Sequence, residues 1–407
     1  MPDVSAAFPE VAPPEETLPY LDDLRRHRRA LHRIPEVDFD LPQTISYVRG
    51  VLERVAAESP AGRAGRVRVL APSRSCVCAF FDAGSERSWA VRADMDALPV
   101  TEGSGVPFAS EHSGKMHACG HDGHMAMVLV LATWLGEHLD EVGRSALLVF
   151  QPAEETTGGA RLVCESGVFE ECRVDRIVGF HLWPDLPAGH VASRPGPLLA
   201  AANETTATFE GRASHIAKAS QGADALLACT QFVGEAYACA DRLARRGPLG
   251  EGPEPILLKF GHLVAGEVRN QIAAHAVVEG SLRTFSPEMR GHAMGELISL
   301  AEGVGRAHGC AGSVRFSEGY PPVVNDAALY ETCARALDGR GSVPALRKLP
   351  EPLLIAEDFA WYQQYLPGVF LLLGTGTGIP LHASSFGFDE SVLCVGLAAY
   401  LALVRQA

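Results

Sequence analysis

The sequence predicts an α/β protein: a mostly parallel sheet with helices on both faces, plus an inserted α+β domain of ferredoxin-like topology. Three observations carry that prediction. Between residues 67 and 181, short apolar runs alternate with helix-compatible stretches, the pattern of parallel strands buried on both faces. Between 200 and 314 the style changes to longer strands of alternating polarity in the order β-α-β-β-α-β, which is the split motif. After 314 the buried-strand and helix pattern returns. A chain of 407 residues has room for two cores. The expected domains are 1–199 with 315–407, and 200–314 between them, with 1–18 as a loose tail.

Each element has a local reason. Leucines 21, 24 and 31 among arginines make 20–32 an amphipathic helix, stopped before Pro35. A second helix covers 44–59, and strands cover 67–77 and 88–94. An apolar helix runs through 125–139, and 145–150 is a central strand. A glycine-punctuated helix over 156–167 leads to a strand at 176–181. In the inserted domain, strands at 204–211, 256–263, 276–284 and 314–317 alternate in polarity, and helices occupy 222–246 and 287–308. Helices at 327–337 and 357–365, a strand at 369–373 and a closing helix at 391–407 finish the chain.

Composition narrows the function classes. Hydrophobic content of 47% and charged content of 21% are those of an ordinary globular protein. A formal charge of −14 argues against nucleic acid or an anionic membrane as general partner. No apolar run reaches the length of a membrane span, and residues 1–16 lack the pattern of a signal peptide. Ten scattered cysteines form no disulfide framework. Cys229 and Cys239 read as buried thiols, and Cys76-Val77-Cys78 as one face of a strand. Free thiols in this number point to the cytoplasm.

The densest chemistry is Lys115-Met116-His117-Ala118-Cys119-Gly120-His121-Asp122-Gly123-His124, at a junction between loop and helix. Cys119 and His121 lie two apart on a segment read as non-helical, where a tight turn aims both at one point. Thiolate and imidazole suit a borderline-soft divalent ion. Glu154-Glu155, His181 and His382 also fall at strand ends or adjoining loops, where open α/β sheets place their sites. Read as extended, Glu154 and Glu155 point in opposite directions, leaving one to bind a metal and the other to act as a base. The plainer alternatives are an acidic pair opening a helix, a structural or exposed His382, and loop capping by Asp94 and Asp96.

Arg92-Ala93-Asp94-Met95-Asp96-Ala97-Leu98-Pro99, the run from Met116 to His124, the run from Gln151 to Glu155, His181-Leu182-Trp183-Pro184, Glu357-Asp358-Phe359 and Leu381-His382 occur in that order. Together they resemble the metal-dependent amidohydrolases related to hippurate hydrolase, plant auxin-conjugate hydrolases and N-acetyl-diaminopimelate deacetylases. These form a branch of the aminoacylase and glutamate-carboxypeptidase family. The resemblance implies metal-dependent hydrolysis of the amide bond of an N-acyl amino acid or related small amide. It implies two divalent metal ions, zinc or manganese first and cobalt or nickel next, bridged by Cys119. His121 and His181 would hold one ion, and Glu155 and His382 the other. Glu154 would be the general base, and Asp96 would orient a ligand. The inserted domain would serve as lid and dimerisation surface of a homodimer or higher oligomer, with His215 holding the oxyanion. Asn270 and Arg283 would clamp the substrate carboxylate.

Two segments depart from the family pattern. The run after His215 is Ile216-Ala217-Lys218-Ala219-Ser220, without the usual proline and second histidine. The usual glycine pair before Asn270 is altered in Gly261-His262-Leu263-Val264-Ala265-Gly266. Lys218 or His262 contacting an anionic substrate is the hypothesis these changes raise. The competing readings are a dipeptidase or exopeptidase on the same site, Cys119 as a nucleophile, and a non-catalytic metal-containing binding protein.

Overall fold

The computed structural model describes residues 11–248, 250, 252–340 and 344–406. In chain order its elements are α1 (Leu21–His32), α2 (Pro42–Glu58), α3 (Pro60–Arg63), β1 (Val67–Leu70), β2 (Val77–Phe81), β3 (Ser88–Asp94) and α4 (His121–His138). There follow β4 (Ser145–Gln151), α5 (Ala160–Cys164), α6 (Val168–Glu171), β5 (Val174–Trp183), β6 (Val191–Ser193) and β7 (Gly196–Leu199). Next come β8 (Ala201–Glu210), α7 (Ala225–Arg246), β9 (Ile256–Ala265), β10 (His275–Thr284), α8 (Pro287–Ala307) and β11 (Ala311–Phe316). The last are β12 (Val323–Asn325), α9 (Ala327–Ala336), β13 (Leu346–Lys348), β14 (Gly368–Gly374) and α10 (Val392–Val404). The described residues within 1–196, 324–350 and 361–407 form one compact unit, and those within 197–323 and 351–360 form another.

The first unit is built on an eight-stranded sheet in the order β1-β2-β4-β3-β5-β14-β6-β13. Its centre, β4-β3-β5-β14, is parallel. Antiparallel pairs join β1 to β2, β2 to β4 and β14 to β6. One face carries the main core, where Val91, Leu148, Phe180 and Leu371 meet Leu24 of α1, Val48 of α2, Met127 of α4 and Leu401 of α10. Every residue from His121 to Ala132 of α4 is buried, as a helix apolar all round must be. On the other face Tyr362 packs edge-on against Phe169 of α6 and donates its hydroxyl to Gln151.

The second unit holds an antiparallel sheet in the order β11-β8-β10-β9, the arrangement of the split β-α-β-β-α-β motif. Phe209, Leu258 and Val278 from the sheet pack with Phe232 of α7 and Leu297 of α8. Asp224 and Ser286 cap those helices by accepting from the main-chain N–H groups of Leu227 and Met289, each at 3.1 Å.

Four local expectations need correction. The strand expected over 67–77 is a hairpin: Pro72 lies between β1 and β2, and Ser75 takes a left-handed φ of 56° with its hydroxyl donating to the Phe39 carbonyl. The helix expected over 156–167 is only α5 (160–164), flanked by turns in which Gly158 and Gly167 adopt φ of 83° and 79°, with α6 following after it. Residues Asp358–Gln364 form a 3-10 helix, not an α-helix. Of the expected tail, 1–10 lie outside the described residues. The remainder is held: Thr17 is fully buried and donates its hydroxyl to the Cys394 carbonyl at 2.9 Å.

Candidate metal centre

The cluster gathers where parallel strands end. β3 leads to Asp94 and Asp96, β4 to Glu154 and Glu155, β5 carries His181, and His382 follows β14. α4 starts at His121 and not beyond it, so that histidine belongs to the first helical turn while Cys119 stays in the loop. Between them Gly120 turns the chain with φ of 88°, where an L side chain is strained. Gly123 keeps the turn close to β5, since a Cβ there would lie 2.8 Å from the Leu182 Cδ1.

Two donor groups share one sulfur. The ligating atoms of Cys119, His121 and His181 lie within 4.8 Å of one another, as do those of Cys119, Glu155 and His382. Cys119 Sγ is 3.4 Å from His181 Nε2, and His382 Nε2 is 3.2 Å from Glu155 Oε1. His121 donates from Nδ1 to the Asp96 carbonyl at 2.8 Å, and His181 from Nδ1 to the Leu182 carbonyl at 2.6 Å. Each imidazole therefore turns Nε2 inward, and His121 Nε2 is buried with no hydrogen-bond partner. His382 sits at φ of 67°, its N–H donating to the Ala118 carbonyl, with its side chain half exposed.

The electrostatics favour added positive charge. Burial opposes protonation of His121, but Asp94, Asp96 and Glu155 outweigh it and raise its pKa to about 10. Burial and the charges of Glu155 and Glu154 push the Cys119 thiol well above its ordinary range. Burial works against the Glu155 carboxylate, yet His382 and His121 bring it down to about 2. Burial lowers His181 to about 3, keeping it neutral. A buried imidazole nitrogen without a hydrogen-bond partner, among a thiol and carboxylates, fits divalent cations, whose charge would stabilise the thiolate and the neutral ring.

The glutamate pair is arranged differently from the extended reading. Ala153 takes φ of 58° and the chain turns through Glu154 and Glu155. Their ligating oxygens and the ligating nitrogen of His121 lie within 4.8 Å of one another, so the two carboxylates do not point in opposite directions. Asp96 holds the turn. Its Oδ1 accepts from the Glu154 N–H and its Oδ2 from the Glu155 N–H, each at 3.0 Å.

Asp94 and His124 were under-read in sequence. Asp94 caps no loop: it is fully buried, 2.6 Å from Arg92 Nη1 and 2.6 Å from His124 Nδ1. The available signals were an arginine inside an apolar strand and two histidines spaced i, i+3 on one helix face.

In the second unit, His215 is exposed and caps a 3-10 turn, its Nδ1 accepting from the Ala217 N–H at 3.1 Å. That contact puts the ring proton on Nε2. The Asn270 carbonyl accepts from the Ile216 N–H at 3.0 Å, so Asn270 lies beside that turn. Arg283 on β10 is half-buried, and burial lowers its pKa against the opposing charge of Glu204. Lys218 is exposed in the same turn as His215. His262 is engaged across the strands, 2.8 Å from Glu279.

Comparison with known proteins adds a family. A model described as peptidase family M20/M25/M40 matches residues 90–406. N-acetyldiaminopimelate deacetylase of Streptococcus uberis is 32% identical over 385 residues, covering 94% of this chain and 98% of that one. N-acetyl-L-cysteine deacetylase of Bacillus subtilis is 31% identical over 369 residues, covering 90% and 83%. A solved Bacillus subtilis structure, described as a dinuclear metal binding peptidase from the M20 family, superposes with a TM-score of 0.80. It shows 29% identity and covers 95% of this chain and 98% of its own.

Proposed function

The chain belongs to peptidase family M20/M25/M40 and is a metal-dependent amide hydrolase, and on that basis we propose that it cleaves N-acyl amino acids into a carboxylic acid and a free amino acid. The observation that carries this reading is the sharing of Cys119 by two donor groups beside Glu154. Cys119 would bridge two divalent ions, with His121 and His181 on one and Glu155 and His382 on the other. Zinc or manganese suits this set best, with cobalt and nickel next. The ions, when bound, supply Lewis acidity at the scissile carbonyl and acidify the attacking water.

The chain's own groups do the rest. Glu154 takes the proton of the attacking water and returns it to the leaving nitrogen. Asp96 keeps the Glu154-Glu155 turn and the His121 ring in register through three hydrogen bonds. His215, with its proton on Nε2, would be the donor for the developing oxyanion, reaching the site of a neighbouring subunit. Arg283, half-buried and without an ion pair among the described residues, would clamp the substrate carboxylate together with Asn270. The second unit would be the lid and the dimerisation surface of a homodimer. All ten cysteines are free, which supports a reducing cytoplasm as the working compartment. Among the described residues no helix is long and apolar enough to cross a membrane.

Two relatives named as deacetylases favour the acylase reading; the solved neighbour described as a peptidase keeps dipeptides as the second reading. A Cys119 nucleophile fits less well, because burial and the adjacent carboxylates disfavour its thiolate and the mechanism gives Glu155 and His382 no task. The test is hydrolysis of a panel of N-acyl amino acids and dipeptides by stripped protein reloaded with single metals. Acyl amino acids should be cleaved in preference to dipeptides, and Glu154→Gln should slow the reaction by about 10²–10⁴-fold. Preference for dipeptides would overturn the acylase assignment.

A further inference from the structure

We propose that His124, locked by Asp94, is a positioning residue that sets the aim of His181; this rests on the two-ion reading above. Asp94, His121 and His124 form a buried group whose ligating atoms lie within 4.8 Å, and by composition alone it resembles a third ligand set. Its hydrogen bonds say otherwise. Asp94 Oδ2 is held by Arg92 Nη1 at 2.6 Å, and Oδ1 faces His124 Nδ1 at 2.6 Å. A carboxylate held in this way accepts, so Nδ1 carries the proton and Nε2 the lone pair. That lone pair accepts from the Leu182 N–H at 2.9 Å. Both ring nitrogens of His124 are thus engaged within the protein, and neither is available as a ligand.

Leu182 is the link. Its N–H is bound by His124, while its carbonyl accepts from His181 Nδ1 at 2.6 Å. Its side chain lies where a Cβ on Gly120 or Gly123 would fall, at 2.9 and 2.8 Å. Fixing Leu182 fixes the carbonyl that orients the His181 ring, whose Nε2 then stands 3.4 Å from Cys119 Sγ. The His124 ring itself packs 4.9 Å from His181 and 5.4 Å from His121, centroid to centroid. Arg92, Asp94, His124 and Leu182 form one continuous chain from the middle of β3 to the end of β5.

Three substitutions separate the two bonds of the imidazole. His124→Asn keeps an amide donor for Asp94 and loses the acceptor for Leu182. His124→Gln can set its amide oxygen near the former Nε2 and keep that acceptor. Asp94→Asn presents a donor to Nδ1, drives the ring proton to Nε2 and sets it against the Leu182 N–H. The readouts are Co²⁺ binding isotherms, the thiolate-to-cobalt and visible bands of the loaded protein, and the melting temperature of the metal-free protein. The wild type should bind two Co²⁺. His124→Asn and Asp94→Asn should weaken one ion by about 10- to 100-fold and shift the bands, while His124→Gln stays within about threefold of wild type. Wild-type affinity and spectrum in His124→Asn would overturn the proposal, as would equal losses in His124→Asn and His124→Gln. Binding of fewer than two ions by the wild type would instead overturn the two-ion reading.

Discussion

Two buried polar clusters adjoin the first turn of α4, one around Asp122 and one around His121, and they are resolved differently. On the Asp122 side, charges find partners within the chain. Asp122 Oδ2 is 3.2 Å from Arg28 Nε and 2.8 Å from His32 Nδ1, and His32 Nε2 is 3.1 Å from Glu102. Glu390 is paired with both Arg28 and Arg29. Asp122 Oδ1 and both ring nitrogens of His117 are buried here without a hydrogen-bond partner. On the His121 side, Glu154, Glu155 and the thiol gather around an inward nitrogen with no hydrogen-bond partner, while Asp94 is held within the chain by Arg92 and His124. Neighbouring residues in sequence therefore belong to different kinds of site. Charge neutralised inside the chain is architecture, and charge left for a cation is chemistry.

The comparison breaks or sharpens by substitution on each side. The largest effect is expected from Glu154→Gln, which should lower kcat by about 10²–10⁴-fold with metal content unchanged; loss of metal along with rate would place Glu154 among the ligands. Asp122→Asn should lower stability by about 3–5 kcal/mol, read from denaturant unfolding, while the loaded metal content stays at its wild-type value. Cys119→Ala should do the reverse, removing metal while leaving the unfolding midpoint of the metal-free protein close to wild type. Saturating metal should add about 2.7 kcal/mol at a hundredfold excess over Kd, and Cys119→Ala should erase that gain.

Two histidines of α1 should give opposite pH signatures. Burial lowers His27 to about 4, with Arg26 and Arg54 adding to it. The unfolded chain then binds the extra proton, so its stabilising contribution is lost as pH falls from about 6.5 to about 4. His32 is also disfavoured by burial, but Asp122 and Glu102 outweigh that and raise its pKa. Its contribution is complete below about pH 6.5 and is lost as pH rises through the raised folded value. His27→Gln should flatten the acid limb of the stability profile, and His32→Gln the alkaline limb. An unchanged limb in either variant would contradict the assignment. The smallest effect is expected from His262→Ala, which removes an exposed cross-strand pair with Glu279 and should leave stability within about 1 kcal/mol.

What the sequence made legible was mostly local. The buried strands, the polarity alternation of β8 to β10 and the cysteine-histidine motif each lie within one stretch, and they marked Cys119, His121, His181 and His382 as candidates, whose ligating atoms the structure brings together in two groups around Cys119. What stayed hidden depends on partners far along the chain. The turn at Glu154-Glu155 needs the Asp96 carboxylate 58 residues earlier to take its two N–H groups. The engagement of His124 needs the Leu182 N–H, also 58 residues away. Asp94 stays open between loop capping and a functional role until Arg92 and His124 are seen on its two oxygens. The break between α5 and α6 was written in glycines, but glycine spacing alone does not say which of them takes positive φ.

The central claim is that Cys119 joins two ion sites beside one base. It is tested most directly by titrating chelator-stripped protein with Zn²⁺ or Mn²⁺ while following both bound metal and hydrolysis of the best N-acyl amino acid. The account predicts no hydrolysis in the stripped protein and a plateau at two ions per chain. Hydrolysis without metal, or a plateau at one ion, would contradict it.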